Sequence, residues 1–165
     1  MTRRTILLMA AAVLVMAAVP GAQAQVGCFG EGATIIGDAG PNELNGTPGR
    51  DVIHGLEGND DIHGFGGNDL LCGGEGNDDV FGDPGRDGIQ GGDGRDSMIG
   101  GKGDDLHRGG RGADSATGGP DDDVMRGGAG GDTLIGNAGF DVARGGPGLD
   151  ACLAERMDCE FFPGE

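Results

Sequence analysis

The sequence contains no tryptophan and no tyrosine, and only 6 of its 165 residues are phenylalanine. This scarcity excludes a large aromatic core. Basic residues are also few, because 11 Lys and Arg stand against 28 Asp and Glu, which gives a formal net charge of −17. A surface with this charge repels polyanions and attracts cations, so we expect metal ions as partners and no binding to nucleic acid.

Long apolar runs are also lacking, apart from residues 6–19 near the N-terminus. Two arginines precede this run, Pro20 ends it, and residues 22–24 (Ala-Gln-Ala) form a small-x-small cleavage site. The run is shorter than the roughly 20 residues that a membrane span needs. We therefore predict a signal peptide with cleavage after Ala24, and a secreted mature chain without a membrane span. The general secretory route is favoured over twin-arginine export, which the TRRTILL stretch loosely resembles.

Glycine, in contrast, is abundant, with 40 residues placed in a strict period. Thirteen units of nine residues run from residue 37 to residue 153 without insertion or deletion. Position 1 is Gly in all thirteen units, and position 4 is Gly in all except the unit containing Asp121. Position 6 is Asp except at Asn42, and position 8 is apolar except at His107. A disordered glycine-rich linker would share this composition but not its phase.

Each unit predicts a turn followed by a short strand. Glycine takes positive φ without steric cost, which places the turn at positions 1–6. Positions 7–9 are extended, with position 8 pointing inward. Two units form one coil of 18 residues, and coils stack at the ~4.8 Å spacing of paired strands. The predicted fold is all-β, a parallel β-roll (β-solenoid) with a thin core, and we expect His107 to mark irregular packing there.

Stacking places each position 6 Asp above the Asp two units earlier in the chain. Neighbouring carboxylates ~4.8 Å apart repel by ~0.9 kcal/mol in water. Ten such pairs (13 − 2 = 11, less the one that Asn42 removes) oppose folding by ~4–9 kcal/mol, comparable to the stability of a whole domain. We therefore expect the metal-free mature chain to be largely unfolded, and a cation between successive turns to reverse this balance.

Carboxylate and carbonyl oxygens are the donors that Ca²⁺ prefers, whereas Zn²⁺ favours His or thiolate ligands. The predicted metal ligands are the position 6 residues Asp51, Asp60, Asp69, Asp78, Asp87, Asp96, Asp105, Asp114, Asp123, Asp132, Asp141 and Asp150. Side chains at position 5 that would orient the turn or add a ligand are Asn59, Asn68, Asn77, Asp104 and Asp122. The eleven same-side gaps between coils set a ceiling of about eleven calcium ions.

The segments GGEGNDDVF (73–81) and GGDGRDSMI (91–99) resemble the nonapeptide G-G-x-G-x-D-x-U-x of the RTX (repeats-in-toxin, haemolysin-type) calcium-binding proteins. The resemblance covers residues 37–153, and the whole outline is similar to small secreted calcium-binding proteins of bacteria. It implies a right-handed parallel β-roll in which position 6 aspartates and turn carbonyls hold Ca²⁺ between adjacent turns. Position 2 is Gly in only seven units, Asn42 lacks the carboxylate, and Asp121 either strains its turn or adds a ligand. We therefore expect several ions, fewer than the ceiling.

Four cysteines in an exported chain predict two disulfides. Cys152–Cys159 is the favoured pair, because it would fold the C-terminal tail over the open end of the roll. Cys28 and Cys72 then pair by elimination. Within an uninterrupted stack these two would lie ~12 Å apart, beyond the ~7 Å limit between bonded Cα atoms. The segment before the first unit must therefore double back as a cap.

The remaining candidate groups are assigned to the surface. His54 and His63 occupy position 9 and are expected to be solvated side chains, not metal ligands. Four arginines of the second half are expected to act as counter-charges to aspartate, not as an anion site: Arg108, Arg111, Arg126 and Arg144.

The predicted organisation is a signal peptide (1–24), an N-terminal cap segment (25–36), the calcium-binding β-roll (37–153) and a C-terminal cap or tail (154–165). Only 24 residues of the mature chain lie outside the roll, too few for a catalytic domain, and neither H-E-x-x-H nor G-x-S-x-G occurs. We predict a non-enzymatic, secreted calcium-binding protein that folds on binding Ca²⁺. The alternative is a calcium-dependent adhesion or assembly module at the cell surface, with an unspecified protein or envelope partner. An accessory part of a secreted hydrolase is least favoured.

Overall fold

The computed structural model describes residues 27–154 and 156–157, and every regular element in this part of the chain is a β-strand. The strands are β1 (Gly27–Cys28), β2 (Glu31–Gly32), β3 (Ile35–Ile36), β4 (Glu43–Asn45), β5 (Val52–Glu57), β6 (Asp61–His63), β7 (Leu70–Glu75), β8 (Asp79–Pro84), β9 (Gly88–Asp93), β10 (Ser97–Lys102), β11 (Leu106–Arg111), β12 (Ser115–Pro120), β13 (Val124–Ala129), β14 (Thr133–Ala138), β15 (Val142–Arg144), β16 (Ala151–Leu153) and β17 (Arg156–Met157).

Successive strands alternate between two parallel sheets. The odd sheet has the order β17-β15-β13-β11-β9-β7-β5-β3, and the even sheet has the order β16-β14-β12-β10-β8-β6-β4. Paired residues lie 18 apart in every pairing between β3 and β16, as with Val52 opposite Leu70 and Leu70 opposite Gly88, whereas β17 pairs with β15 at a separation of 14 residues, as with Val142 opposite Arg156. The predicted parallel β-solenoid of 18-residue coils is therefore confirmed.

The strands are longer than the three residues predicted for each unit. In the central coils they cover six residues, from position 7 through position 3 of the next unit, as in β9 (Gly88–Asp93). The prediction that positions 1–6 form the turn is therefore wrong for positions 1–3. Glycines at positions 1 and 2 let the backbones of adjacent coils approach and stay paired, as Gly74 and Gly92 do, although Gly92 has a φ of +129°. The turn itself is confined to positions 4–6.

Position 8 supplies the core between the two sheets, as predicted. The buried apolar residues that pack together there are Ile53, Ile62, Leu71, Val80, Ile89, Met98, Ala116, Met125, Leu134 and Ala143. His107 is also fully buried, and it pairs in regular register with Ile89 on one side and Met125 on the other. The expected irregular packing at His107 is therefore wrong, because the flat imidazole fits where its neighbours place aliphatic side chains.

The N-terminal segment folds back onto the outer face of the odd sheet. Strands β1 and β2 form an antiparallel hairpin that buries Cys28 against Val52 and Cys72. Cys28 and Cys72 form a disulfide with a Cα–Cα distance of 5.7 Å, so this predicted pair is confirmed. The Arg108 guanidinium lies 4.9 Å from the centre of the Phe29 ring, which extends the contact of the hairpin to β11.

The structure describes only one of the two cysteines of the second predicted disulfide. Cys152 is disulfide-bonded, whereas Cys159 lies outside the described residues, so the pairing of these two stays a prediction. The predicted signal peptide (1–24) and most of the predicted tail also fall outside. None of the described residues belongs to a helix with the length and hydropathy needed to cross a membrane.

Candidate metal centre

The position 6 aspartates form two files, one along each edge of the roll. Because units on the same edge are 18 residues apart, one file begins at Asp51 and Asp69, and the other begins at Asp60 and Asp78. Eleven of the twelve predicted ligands are buried, and Asp150, at the C-terminal end, is half-buried. The fold therefore removes a row of carboxylates from water along each edge.

In the eleven position 6 carboxylates from Asp60 to Asp150, Oδ1 accepts a hydrogen bond from the preceding coil, whereas Asp51 Oδ2 accepts the N–H of Thr47 at 2.6 Å and its hydroxyl at 2.9 Å. The backbone N–H of Asp60 donates to Asp78 Oδ1 at 2.9 Å, and the N–H of Asp78 donates to Asp96 Oδ1 at 3.0 Å. The same bond links Asp51 to Asp69 at 2.8 Å in the other file. Each Oδ1 atom is thus fixed by the coil before it, which fixes the direction of the second oxygen.

The second oxygen, Oδ2, has no hydrogen-bond partner in ten of these buried carboxylates, namely Asp60, Asp69, Asp78, Asp87, Asp96, Asp105, Asp114, Asp123, Asp132 and Asp141. An unpaired buried oxygen costs free energy, and most buried polar groups in proteins are paired. Ten identical exceptions in register indicate that a cation belongs beside these oxygens.

The position 1 glycines mark where an unpaired carboxylate oxygen and a carbonyl oxygen of the next coil come together. A Cβ atom on Gly64 would be 2.6 Å from Asp69 Oδ2 and 2.7 Å from the carbonyl oxygen of Gly82 in the next coil. Position 1 is therefore glycine because a carboxylate and a carbonyl oxygen converge on the space a side chain would fill. Sequence reasoning missed this role, since it attributed every repeated glycine to turn conformation.

Burial changes the acidity of these carboxyl groups. Loss of solvent raises the pKa of nine position 6 carboxyls more than any other cause, neighbouring carboxylates raise it further, and the backbone N–H bond opposes the rise. The pKa reaches about 7 in four groups and about 6 in Asp114; the four are Asp87, Asp96, Asp105 and Asp123. The pKa is also raised in Asp60, Asp69, Asp78 and Asp132. Desolvation therefore opposes ionisation of these carboxyl groups more strongly than the repulsion between neighbouring carboxylates, which was the cost expected from the sequence.

The predicted position 5 side chains brace the turns from outside. Asn77 Oδ1 accepts a hydrogen bond from the N–H of Arg95 at 2.8 Å, and Asp122 Oδ1 accepts one from the N–H of Phe140 at 2.8 Å. Equivalent bonds of 2.9–3.3 Å are accepted by Asn59, Asn68 and Asp104. Each of these side chains bonds the following coil, in the direction opposite to the position 6 bonds.

The two exceptional turns close in their own ways. Asn42 donates from Nδ2 to Asp38 Oδ1 at 3.2 Å and accepts the Asp38 N–H at 2.8 Å, so its side chain is satisfied without a cation. Asp121 adopts a φ of +85°, and its carboxylate accepts the N–H of Gly103 at 3.1 Å. These contacts explain how Asn is accommodated in place of the position 6 aspartate, and Asp in place of the position 4 glycine.

The donor set suits a hard cation. Within the described part of the chain, no three His, Cys, Asp or Glu side chains converge as they would at a side-chain metal site. The available donors are instead carboxylate and backbone carbonyl oxygens, which fit Ca²⁺. The surface histidines lie elsewhere: His54 Nδ1 accepts the N–H of Leu56 at 3.1 Å, and His63 stacks on Phe81 with ring centres 4.5 Å apart.

The arginines of the second half only partly match their prediction as counter-charges. Arg111 lies 3.3 Å from Asp93, and Arg108 contacts the Phe29 ring. Arg126 and Arg144 form no ion pair with any residue that the structure describes. They line a shallow groove on the outer face of the odd sheet.

Comparison with known proteins identifies the repeat. The chain matches the family model described as "RTX calcium-binding nonapeptide repeat (4 copies)" over residues 36–71, 45–80, 73–106, 108–134 and 126–154. These matches cover more than half of the chain. No curated protein matches the sequence.

Proposed function

The chain belongs to the family of RTX calcium-binding nonapeptide repeats, and on that premise we propose that it is a secreted, non-enzymatic protein whose β-roll folds on binding calcium. The observation that carries this proposal is the row of ten buried Oδ2 atoms without a hydrogen-bond partner. Each of these oxygens lies against the position 1 glycine of its own unit, where a side chain would collide with it. A calcium ion supplies positive charge there, which offsets both burial and mutual repulsion of the carboxylates.

The proposed ligands are the twelve position 6 aspartates together with carbonyl oxygens of position 1 glycines. In the aspartates from Asp60 onward, Oδ1 keeps its bond to the backbone N–H, so Oδ2 is the oxygen left for the cation; in Asp51, Oδ2 is the oxygen bonded to Thr47. The position 5 side chains hold the turns in place, which reduces the reorganisation that binding requires. We expect several ions and fewer than eleven, because the Asn42 turn is closed by its own hydrogen bonds.

Calcium dependence follows from how little else stabilises the roll. The core is one side chain thick, and it narrows to Ala143 and Cys152 in the last coils. Without calcium at neutral pH, the carboxyl groups of the two aspartate files are either ionised or protonated. If they are ionised, they repel one another and lack solvent. Low free calcium inside a cell would keep the chain unfolded and competent for export, and the calcium-rich medium outside would fold it.

Secretion is supported by two features. The N-terminal run with its cleavage site after Ala24 has the layout of an export signal. The Cys28–Cys72 disulfide fits a protein that reaches an oxidising compartment.

The proposal is tested with residues 25–165, disulfides formed, by circular dichroism at pH 8 and low salt. We expect coil in EDTA and β-structure after Ca²⁺ addition, with Mg²⁺ at equal concentration as the control. Isothermal titration then counts the ions. A chain that is already compact in EDTA would contradict calcium-driven folding, and a folded chain that takes up no Ca²⁺ would contradict the site.

A calcium-dependent assembly module is the second candidate, and the outer faces of the roll favour it. Beyond the hairpin, the odd sheet exposes an arginine column beside an apolar column; they are Arg108, Arg126 and Arg144, and Leu106, Val124 and Val142. The even sheet carries an acidic column beside a ring-bearing column; they are Glu43, Asp61 and Asp79, and His63 and Phe81. All four columns repeat at the strand spacing.

Two rolls with parallel axes would bring these columns together if the C-terminal coils of one lie beside the N-terminal coils of the other. Seen from outside, every strand of a solenoid runs in the same sense about the axis, so the facing strands of two such rolls are antiparallel. Position 7 of one roll then faces position 9 of the other, which sets acid against arginine and ring against apolar side chain. Light scattering in Ca²⁺ tests this: we expect association that Arg126→Glu weakens while the circular dichroism stays unchanged. A strictly monomeric folded chain would refute it.

A further inference from the structure

His107 is the one polar residue among the thirteen position 8 side chains. It lies between Ile89 and Met125 in the core and is fully buried. Neither ring nitrogen has a hydrogen-bond partner. A buried polar group left unpaired costs free energy, whereas Leu or Met at this position would carry no such cost. The imidazole is therefore unfavourable as a mere core residue.

The imidazole points into the same space as an unpaired carboxylate oxygen. A Cβ atom on Gly100 would lie within 3 Å of three atoms: Asp105 Oδ2, the carbonyl oxygen of Gly118, and His107 Nε2. Asp105 Oδ2 is itself buried and without a hydrogen-bond partner. Nitrogen and oxygen donors thus come together against the Cα of Gly100, where a side chain would collide with all three.

From this convergence we infer that His107, Asp105 and the Gly118 carbonyl form a binding site for a divalent transition-metal ion such as Zn²⁺, which takes the place of calcium at Asp105 Oδ2 and differs in its ligands from the oxygen-only calcium sites. Imidazole nitrogen suits Zn²⁺ and its neighbours in the first transition row, whereas Ca²⁺ takes oxygen ligands. A single ion would pair His107 Nε2 and Asp105 Oδ2 at once.

The equivalent spaces in adjacent coils lack the nitrogen donor. On the same edge of the roll, Asp87 is followed at position 8 by Ile89, and Asp123 is followed by Met125. These coils have the carboxylate and carbonyl oxygens but no imidazole nitrogen beside them. The mixed site is therefore expected once per chain.

Cobalt(II) is the probe, because its visible absorption reports nitrogen and oxygen coordination and none of the described cysteines is a free thiol. The mature chain, saturated with Ca²⁺ and shown to be folded by circular dichroism, is titrated with Co²⁺ and then with Zn²⁺ as competitor. We expect a band that saturates at one Co²⁺ per chain and that Zn²⁺ removes. The readout is separate from calcium-induced folding, so either inference can fail without the other.

His107→Leu should abolish the band while keeping the calcium-dependent fold, and His107→Met is a second variant that matches the neighbouring core side chains. The matched control is the double variant His54→Gln with His63→Gln, which leaves His107 as the sole imidazole and should retain the band. A band that survives in folded His107→Leu, or no band in the folded parent chain, overturns the inference.

Discussion

Replacing Asp78 by asparagine should stabilise the roll without calcium and destabilise it with calcium. Asp78 is buried, its Oδ1 accepts the Asp60 N–H at 2.9 Å, and its Oδ2 has no partner. An asparagine keeps the Oδ1 acceptor, and its Nδ2 group would lie near the Gly91 carbonyl oxygen. The amide can therefore donate to this carbonyl oxygen, where the carboxylate needs a cation.

The magnitude follows from the two carboxylates that Asp78 faces. Asp60 and Asp96 stand one coil away on either side, so the substitution removes two repulsions of ~0.9 kcal/mol each, about 2 kcal/mol even at the dielectric constant of water. With calcium bound this repulsion is already neutralised, and the variant loses a site instead. Loss of one site at 100 times its dissociation constant costs about 2.7 kcal/mol.

Asp79→Asn is the matched control, because it removes the same charge at the next residue, whose side chain is exposed. Stability in Ca²⁺ is measured by urea unfolding, and stability in EDTA at pH 8 by the trimethylamine N-oxide concentration that induces folding, both by circular dichroism. We expect Asp78→Asn to change sign between the two conditions and Asp79→Asn to shift either midpoint little. The same sign in both conditions for Asp78→Asn would refute the reasoning that a cation completes this ladder.

Four further outcomes are expected. In EDTA, lowering the pH from 8 to 5 should favour folding, because the ladder carboxyls whose pKa rises to about 7 bind more protons folded than unfolded; a trimethylamine N-oxide midpoint that rises on acidification would contradict this. In calcium the sign should reverse, since ligands must be ionised, so titration calorimetry should show weaker binding at pH 5. Gly91→Ala would push Cβ into the Asp96 carboxylate and cost about 1–3 kcal/mol in urea unfolding, whereas Gly66→Ala, with its nearest neighbour at 3.6 Å, should cost less than half of that. Removing the Cys28–Cys72 disulfide by a double serine variant should cost about 4 kcal/mol in calcium, because the bond closes a loop of 44 residues; an unchanged unfolding midpoint would show that the hairpin adds nothing.

Repetition made much of this molecule legible from its sequence. In a solenoid, each position of the unit lies beside the equivalent position one coil away. A residue type that recurs every nine residues therefore occupies the same environment in each unit, and the repeats together indicate what that environment is. The parallel β-roll, the inward position 8 and the stacked carboxylates all follow from that period. The oxygen-rich donor set then predicts calcium.

Tertiary structure alone decided which atoms do what within the repeat. Strand pairing extends through positions 1–3, because glycine lets neighbouring backbones approach, and a pattern based on side chains contains no sign of that approach. The hydrogen bond from Asp60 N–H to Asp78 Oδ1, which leaves Oδ2 unpaired, depends on coil-to-coil register. The placement of His107 Nε2 near Asp105 Oδ2 depends on it as well. Sequence therefore determined what is repeated, while packing between coils determined which polar atoms are left for a metal, because hydrogen bonding is settled only once neighbouring backbones are in place.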